Sequence, residues 1–172
     1  VDLPFDEGVA REREIFEVCV NSDESRAMRH VFFAERAARK IPGMAKDVKP
    51  RKIASAGVLG AGTMGGGIAM NFANAGIPVT IVEQSQENLD RGMGIIERNY
   101  ASTVAKGRMP QAAMDKCMAL ITPSVSMEDL GDADMIIEAV FELMAVKKEV
   151  FAKLDAVAKP DAILTSNTSY LD

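Results

Sequence analysis

Apolar residues recur at helical spacing over roughly the first forty positions and then give way to short apolar runs broken by glycine and proline. Asp6 or Glu7 opens a helix with Val9, Phe16, Cys19 and Val20 on one side and Arg11, Glu12, Arg13 and Glu14 on the other. Asn21-Ser22-Asp23-Glu24 predicts a second helix start, Asn21 and Glu24 standing at capping-box spacing. That helix carries Ala27, Met28, Val31, Phe32, Ala34 and Ala38, and Ile41-Pro42-Gly43 ends it. Residues 44–52 are polar, contain Pro50 and read as a linker. Two short amphipathic helices cannot bury their apolar sides alone, so they are expected to pack on the next domain or on one outside this chain.

From Ile53 the period changes. Residues 53–59, 78–82, 135–139 and 162–165 predict strands, and 119–121 is a candidate strand. Helical patterns cover 68–75, 86–106, a further stretch ending near Met118, and 146–158, with one helical turn at 127–130. Strands alternating with helices imply a parallel sheet covered on both faces.

The composition agrees with a folded chain. Of 172 residues, 48% are apolar and 26% charged, enough to build a core over most of the length. The net charge of −5 argues against broad nucleic-acid or membrane-surface binding, which needs a cationic face. No apolar run is long enough to span a bilayer. Cys19 and Cys117 form neither a metal-ligand spacing nor a disulfide framework, which suits a reducing compartment, and no metal site is expected. The single histidine, His30, lies among the connector helices and reads as a surface or inter-domain contact.

The chemistry concentrates at Gly60-x-Gly62-x-x-Gly65, between a predicted strand and a predicted helix. Gly60 permits the tight turn, Gly62 lets backbone approach a pyrophosphate, and Gly65 lets helix pack on strand. The helix start offers free N–H groups and the positive end of its dipole to phosphates. Gly60, Gly62, Thr63, Met64 and Gly65 are therefore the candidate phosphate-binding residues, although the methionines as a class read as core filler. The next strand ends in Glu83, at the spacing of the acid that accepts hydrogen bonds from an adenosine ribose. A carboxylate there repels a 2′-phosphate and favours NAD over NADP, while FAD and S-adenosylmethionine sites use related turns. The expected fold is a Rossmann-type, doubly wound α/β domain over 53–172, preceded by a helical connector over 1–52.

Four segments together resemble the 3-hydroxyacyl-CoA dehydrogenase family: Gly57–Gly65, Glu138-Ala139-Val140-Phe141-Glu142, Lys147-Lys148-x-Val150-Phe151 and Ser166-Asn167-Thr168-Ser169. Pro4–Gly8, Ser25-Arg26-Ala27 and Phe32–Ala37 resemble the connector of the fatty-acid β-oxidation multifunctional enzymes, in which an enoyl-CoA hydratase/isomerase domain precedes and the dehydrogenase follows. The resemblance implies oxidation of an L-3-hydroxyacyl-CoA to the 3-ketoacyl-CoA with NAD as hydride acceptor. It places Glu142 and Lys147 along the nicotinamide-side ribose, Ala139 and Val140 as backbone beside the cofactor, and Asn167 near the nicotinamide. Ser169 matches the serine that bonds the substrate's 3-oxygen, and Lys106 a position that approaches the CoA phosphates. Leu143 stands where relatives commonly carry Asn or Asp.

The resemblance also puts the general-base histidine about twenty residues beyond Asn167-Thr168-Ser169, with its glutamate partner further on. The chain is accordingly expected to be an internal piece that binds NAD without turning substrate over. Bacterial cytoplasm is the expected setting and the peroxisome the alternative. A thiolase subunit is a candidate partner, and the connector helices, lacking a neighbour, invite self-association. Two other functions stay open: a non-catalytic dinucleotide sensor, and a β-hydroxyacid dehydrogenase of another family.

Overall fold

The computed structural model describes residues 3–45 and 47–171, and its packing separates two units, Val1–Pro50 and Arg51–Asp172, dividing inside the predicted linker. The first unit holds α1 (Phe5–Val20) and α2 (Asp23–Ala38). Ser22, not Asn21, caps α2: its hydroxyl accepts from the Ser25 N–H at 3.1 Å, while Asn21 closes α1 and donates its side-chain amide to Glu17 O. The expected capping box therefore fails, because Asn21 is already used by the helix before it. Neither helix buries a residue; Phe5, Phe16, Val18, Met28 and Phe33 are all more than half exposed.

The second unit is a five-stranded parallel sheet in the order β3-β2-β1-β4-β5. Its elements are β1 (Ala56–Leu59), α3 (Thr63–Asn74), β2 (Val79–Val82), α4 (Gln86–Ala105), α5 (Gln111–Ala119), β3 (Ile121–Ser124), a 3-10 turn (Met127–Leu130), β4 (Met135–Glu138), α6 (Met144–Val157) and β5 (Ile163–Ser166). Successive side chains of β1 point to opposite faces, as strand geometry requires. Ala56 and Val58 join Val79, Ile81, Ala69, Leu89, Ile96 and Tyr100 in one core, under α3, α4 and α5. Leu59 and Val82 join Ile136, Leu130, Val150 and Leu154 in the other, under the 3-10 turn and α6. Helices on both faces of a parallel sheet are the doubly wound arrangement that the alternation predicts.

Three boundaries move for identifiable reasons. β1 starts at Ala56 rather than Ile53, because the Ala54 and Ser55 N–H groups bond the Asp134 carboxylate at 2.6 and 3.2 Å instead of a neighbouring strand. β3 runs from Ile121 to Ser124 rather than over 119–121, since α5 continues through Ala119; it lies at the sheet edge, where Pro123 is tolerated. α3 begins at Thr63, drawing Gly65, Gly66 and Gly67 into the helix. Close packing explains one of these: a β-carbon on Gly65 would stand 1.9 Å from Gly60 O, whereas one on Gly66 would make only an ordinary contact, 3.5 Å from Ile96 Cγ1.

Gly67 differs, because a β-carbon there meets nothing within 4 Å. Gly65→Ala is thus expected to lower stability by about 3 kcal/mol or to prevent folding, and Gly67→Ala to raise it by about 0.5–1 kcal/mol. Thermal unfolding of the two variants checks this; equal melting temperatures would contradict the helix–turn contact.

Candidate functional site

The carboxyl ends of β1, β2, β4 and β5 share one edge of the sheet, where open α/β folds bind their ligands. At β1 the chain turns through Gly60, whose φ of +106° is a conformation that side-chain-bearing residues rarely adopt. A β-carbon there would also lie 2.7 Å from Ala139 O, so β1's turn and the loop after β4 touch through backbone. Gly62 caps α3 with extended backbone and no side-chain bond to the first turn. A β-carbon on Gly62 meets nothing within 4 Å, so this face of the turn is open. The first N–H groups of α3, those of Thr63, Met64 and Gly65, have no intrahelical partner, and Thr63 and Met64 are exposed. Met64 is 57% exposed in that first turn and does not fill the core.

Glu83 leaves β2 and returns to the turn. Its carboxylate accepts from the Ala61 N–H at 2.9 Å and from the Gln84 N–H at 2.7 Å. A carboxylate has about four acceptor sites, so it can take hydroxyl donors as well. α4 closes the back of the turn: a β-carbon on Gly92 would stand 2.4 Å from Ala61 O. On the other face of the sheet a cleft of about 290 Å³ opens between the strand ends and α6, lined by Leu59, Gly60, Glu83, Val140, Val146 and Lys153 among others.

Across the edge, β4 ends in a carboxylate that is completely buried. Glu138 Oε2 accepts from Lys147 Nζ at 2.6 Å and from Ser166 Oγ at 2.7 Å, and Oε1 from the Val140 N–H at 2.7 Å. Lys147, expected along a ribose, is 6% exposed with its ammonium on Glu138; the exposed cation beside it is Lys148. The Asn167 N–H donates to Glu138 O at 2.7 Å, which fixes where β5 hands over to the next segment.

Glu142 gathers that next segment. Its Oε1 accepts from Thr168 Oγ1 and the Ser169 N–H at 2.5 Å, from the Tyr170 N–H at 2.7 Å and from the Leu171 N–H at 3.4 Å. The Thr168 hydroxyl, then these amides, hold the carboxyl well below the usual range, at about 2. Asn167, Ser169 and Glu142 are thereby brought to one place, with Ser169 exposed. Leu143, without a capping side chain, leaves the start of α6 uncapped.

One candidate residue of the second unit stays away from this edge. Lys106 closes the far end of α4, fourteen residues past Gly92 and so about 21 Å along the helix axis. His30 lies exposed on α2 in the first unit. Sequence reasoning assigned no role to Glu138, Ser166, Ala61 or Gly92. A signal for the first existed: an acid ending an apolar strand needs a cation once buried, and Lys147 follows one helical turn into α6.

Residues 55–172 match the family model described as 3-hydroxyacyl-CoA dehydrogenase, NAD binding domain. The chain belongs to that family. Its domain over these residues is an NAD-binding domain, which sets FAD and S-adenosylmethionine aside. The peroxisomal bifunctional enzyme of Cavia porcellus is 42% identical over 176 residues, covering 100% of this chain and 24% of that protein. Among solved structures, FadB2 of M. tuberculosis superposes with a TM-score of 0.69 at 40% identity, covering 70% of this chain and 43% of that one. The dehydrogenase part of multifunctional enzyme 1 from C. elegans gives 0.68 at 30%, covering 77% and 31%. The chain thus spans about a quarter of the length of the curated relatives it matches.

Two outcomes follow for the dehydrogenase-family domain. Gly62→Ala should leave the melting temperature within about 2 °C, because the β-carbon meets open space, yet weaken NAD binding by roughly tenfold or more in calorimetry. Glu142, with its carboxyl lowered from 4.5 to about 2, adds stability that is fully present above pH 4.5 and is lost as pH falls toward 2. Glu142→Gln should therefore lower the melting temperature at pH 6 and differ little from the parent chain near pH 2. A constant difference across that range would count against the four hydrogen bonds to Glu142.

Proposed function

We propose that residues 51–172 are the cofactor half of an L-3-hydroxyacyl-CoA dehydrogenase within a longer multifunctional β-oxidation enzyme, and that residues 1–50 connect it to a hydratase/isomerase domain. The observation that carries the reading is the uncapped start of α3 beside an unobstructed Gly62, with Glu83 hydrogen-bonded to the same turn. Those residues suit a dinucleotide: free amides for the diphosphate, and a carboxylate for a ribose diol.

In this reading Gly60, Gly62, Thr63, Met64 and Gly65 cradle the diphosphate and Glu83 takes the adenosine ribose. Ala139 and Val140 supply the backbone wall, Glu142 lies on the nicotinamide side, and Asn167 orients the carboxamide end. Ser169 donates to the oxygen on the substrate's third carbon and holds that carbon facing the cofactor. Bound there, NAD would accept the hydride. Removing the hydroxyl proton at the same moment calls for a base with pKa near neutrality, which none of these side chains provides. Glu142 is the carboxyl bonded to the Ser169 N–H, and a group lowered to about 2 is a poor acceptor at neutral pH. The chain's own residues therefore bind and orient, and the base comes from elsewhere in the parent. Relatives named as peroxisomal enzymes favour a peroxisomal setting over the bacterial cytoplasm.

Calorimetry with NAD and NADP, together with acetoacetyl-CoA reduction by NADH, tests this. The chain should bind NAD, bind NADP at least roughly tenfold more weakly because Glu83 opposes the 2′-phosphate, and show no turnover. Substantial turnover would mean that the base lies within these residues.

A further inference from the structure

The second unit begins five residues before its first strand, and those residues do not run free. They cross the amino edge of the sheet, opposite the edge described above, and meet the segments that lead into β4 and β5. Asp134 is the hub of these contacts. Its Oδ2 accepts from the Ala54 and Ser55 N–H groups, and its Oδ1 accepts from Lys159 Nζ at 2.5 Å. Its own N–H donates to Ser55 O at 3.0 Å, and its carbonyl accepts from the Ile163 N–H at 2.9 Å. Lys159 Nζ also donates to Asp132 O at 3.1 Å, as does Ser55 Oγ at 3.2 Å. At the outer end, the Arg51 guanidinium donates to Asp161 O. One carboxylate thus ties the chain before β1 to the starts of β4 and β5.

These bonds, and not apolar packing, hold the segment. Arg51, Lys52 and Ala54 are exposed and Ile53 is half-buried. A crevice of about 560 Å³ stays open between Arg51 and Lys52 on one side and Lys159, Pro160 and Asp161 on the other. Lys159, then the Ala54 N–H, hold the Asp134 carboxyl well below its usual range, at about 2, so it is ionised at neutral pH. Charge-assisted hydrogen bonds are the stronger kind, whereas a part-exposed ion pair contributes little to global stability. The consequence of this arrangement is therefore local. β1 is only four residues long and leads straight to the Gly60 turn, so a chain displaced before Ala56 would drag on that turn.

We propose that residues 51–55 are a strap that Asp134 and Lys159 lock onto the amino edge, so that a pull from the chain before Arg51 is borne by the starts of β4 and β5 and not by β1. The strap is independent of the cofactor reading, since none of its partners lies at the carboxyl edge.

Limited digestion of the 172-residue chain with trypsin, read by mass spectrometry, tests this. A locked strap resists cleavage after Arg51 and Lys52, because the protease cuts only the transiently opened segment. Cleavage after Lys40, exposed beyond the end of α2, is the internal standard. Relative to it, Asp134→Ala should speed cleavage after Arg51 and Lys52 by roughly tenfold or more. Lys159→Met, which leaves the two amide bonds, should speed it roughly threefold, and Lys159→Arg should restore the slow rate. Cleavage after Lys148 and Lys153, within α6, should stay as slow as in the parent chain. Unchanged rates after Arg51 and Lys52 in Lys159→Met would overturn the proposal. So would a parallel rise within α6, which would mean that the whole unit had loosened. If Asp134→Ala does not fold, the two Lys159 variants decide alone.

Discussion

A β-carbon on Gly65 would stand 1.9 Å from the carbonyl oxygen of Gly60, and one on Gly60 would stand 2.7 Å from that of Ala139. These two backbone approaches hold the carboxyl edge together. They press the start of α3 against the end of β1 and bring the loop after β4 alongside. Any larger residue pushes the helix away and moves its free amides with it. The Glu83–Ala61 bond and the packing of Gly92 on Ala61 then hold the turn from the side and from behind. The small residues are thus a mechanical requirement of the site, met before any ligand arrives.

The same constraint explains why so much of the domain was legible in its residues. Glycines at 60, 62 and 65 between an apolar run and a helical run admit few other arrangements, and an acid at the next strand end completes the pattern. Strand and helix alternation then imply a parallel sheet covered on both faces, but not the order of its strands. Legibility stopped where partners come from distant positions. The start of β1 depends on Asp134, far along the chain, and α2 takes its cap from Ser22 because Asn21 serves α1. The bond between Lys147 and Glu138 was likewise not legible, because family likeness carries residue types but not the partners a side chain finds inside the fold.

Glu138 also shows how a polar group can sit inside a parallel sheet. Placed at the last position of β4, it meets an ammonium, a hydroxyl and an amide within 2.7 Å of its oxygens. Left unpaired, such a charge would cost several kcal/mol, so loss of one partner should be felt by the others. Structure and proposed chemistry therefore share residues at this edge: the bonds that close β4 and β5 also set where Asn167 begins.

A diphosphate approaching this edge meets three glutamates in a chain of net charge −5, which at first sight should repel it. Each carboxylate is, however, already matched by donors. Glu138 faces Lys147, Glu142 faces a hydroxyl and three amides, and Glu83 faces the amides of Ala61 and Gln84. Donors drawn that close offset much of the negative potential locally, where long-range net charge is screened beyond about 8–10 Å. What the diphosphate meets first is the start of α3, with its unpaired amides and positive dipole end. An acidic domain can therefore take an anionic cofactor, and in the reading proposed above Glu83 is the carboxylate that distinguishes a ribose diol from a ribose phosphate.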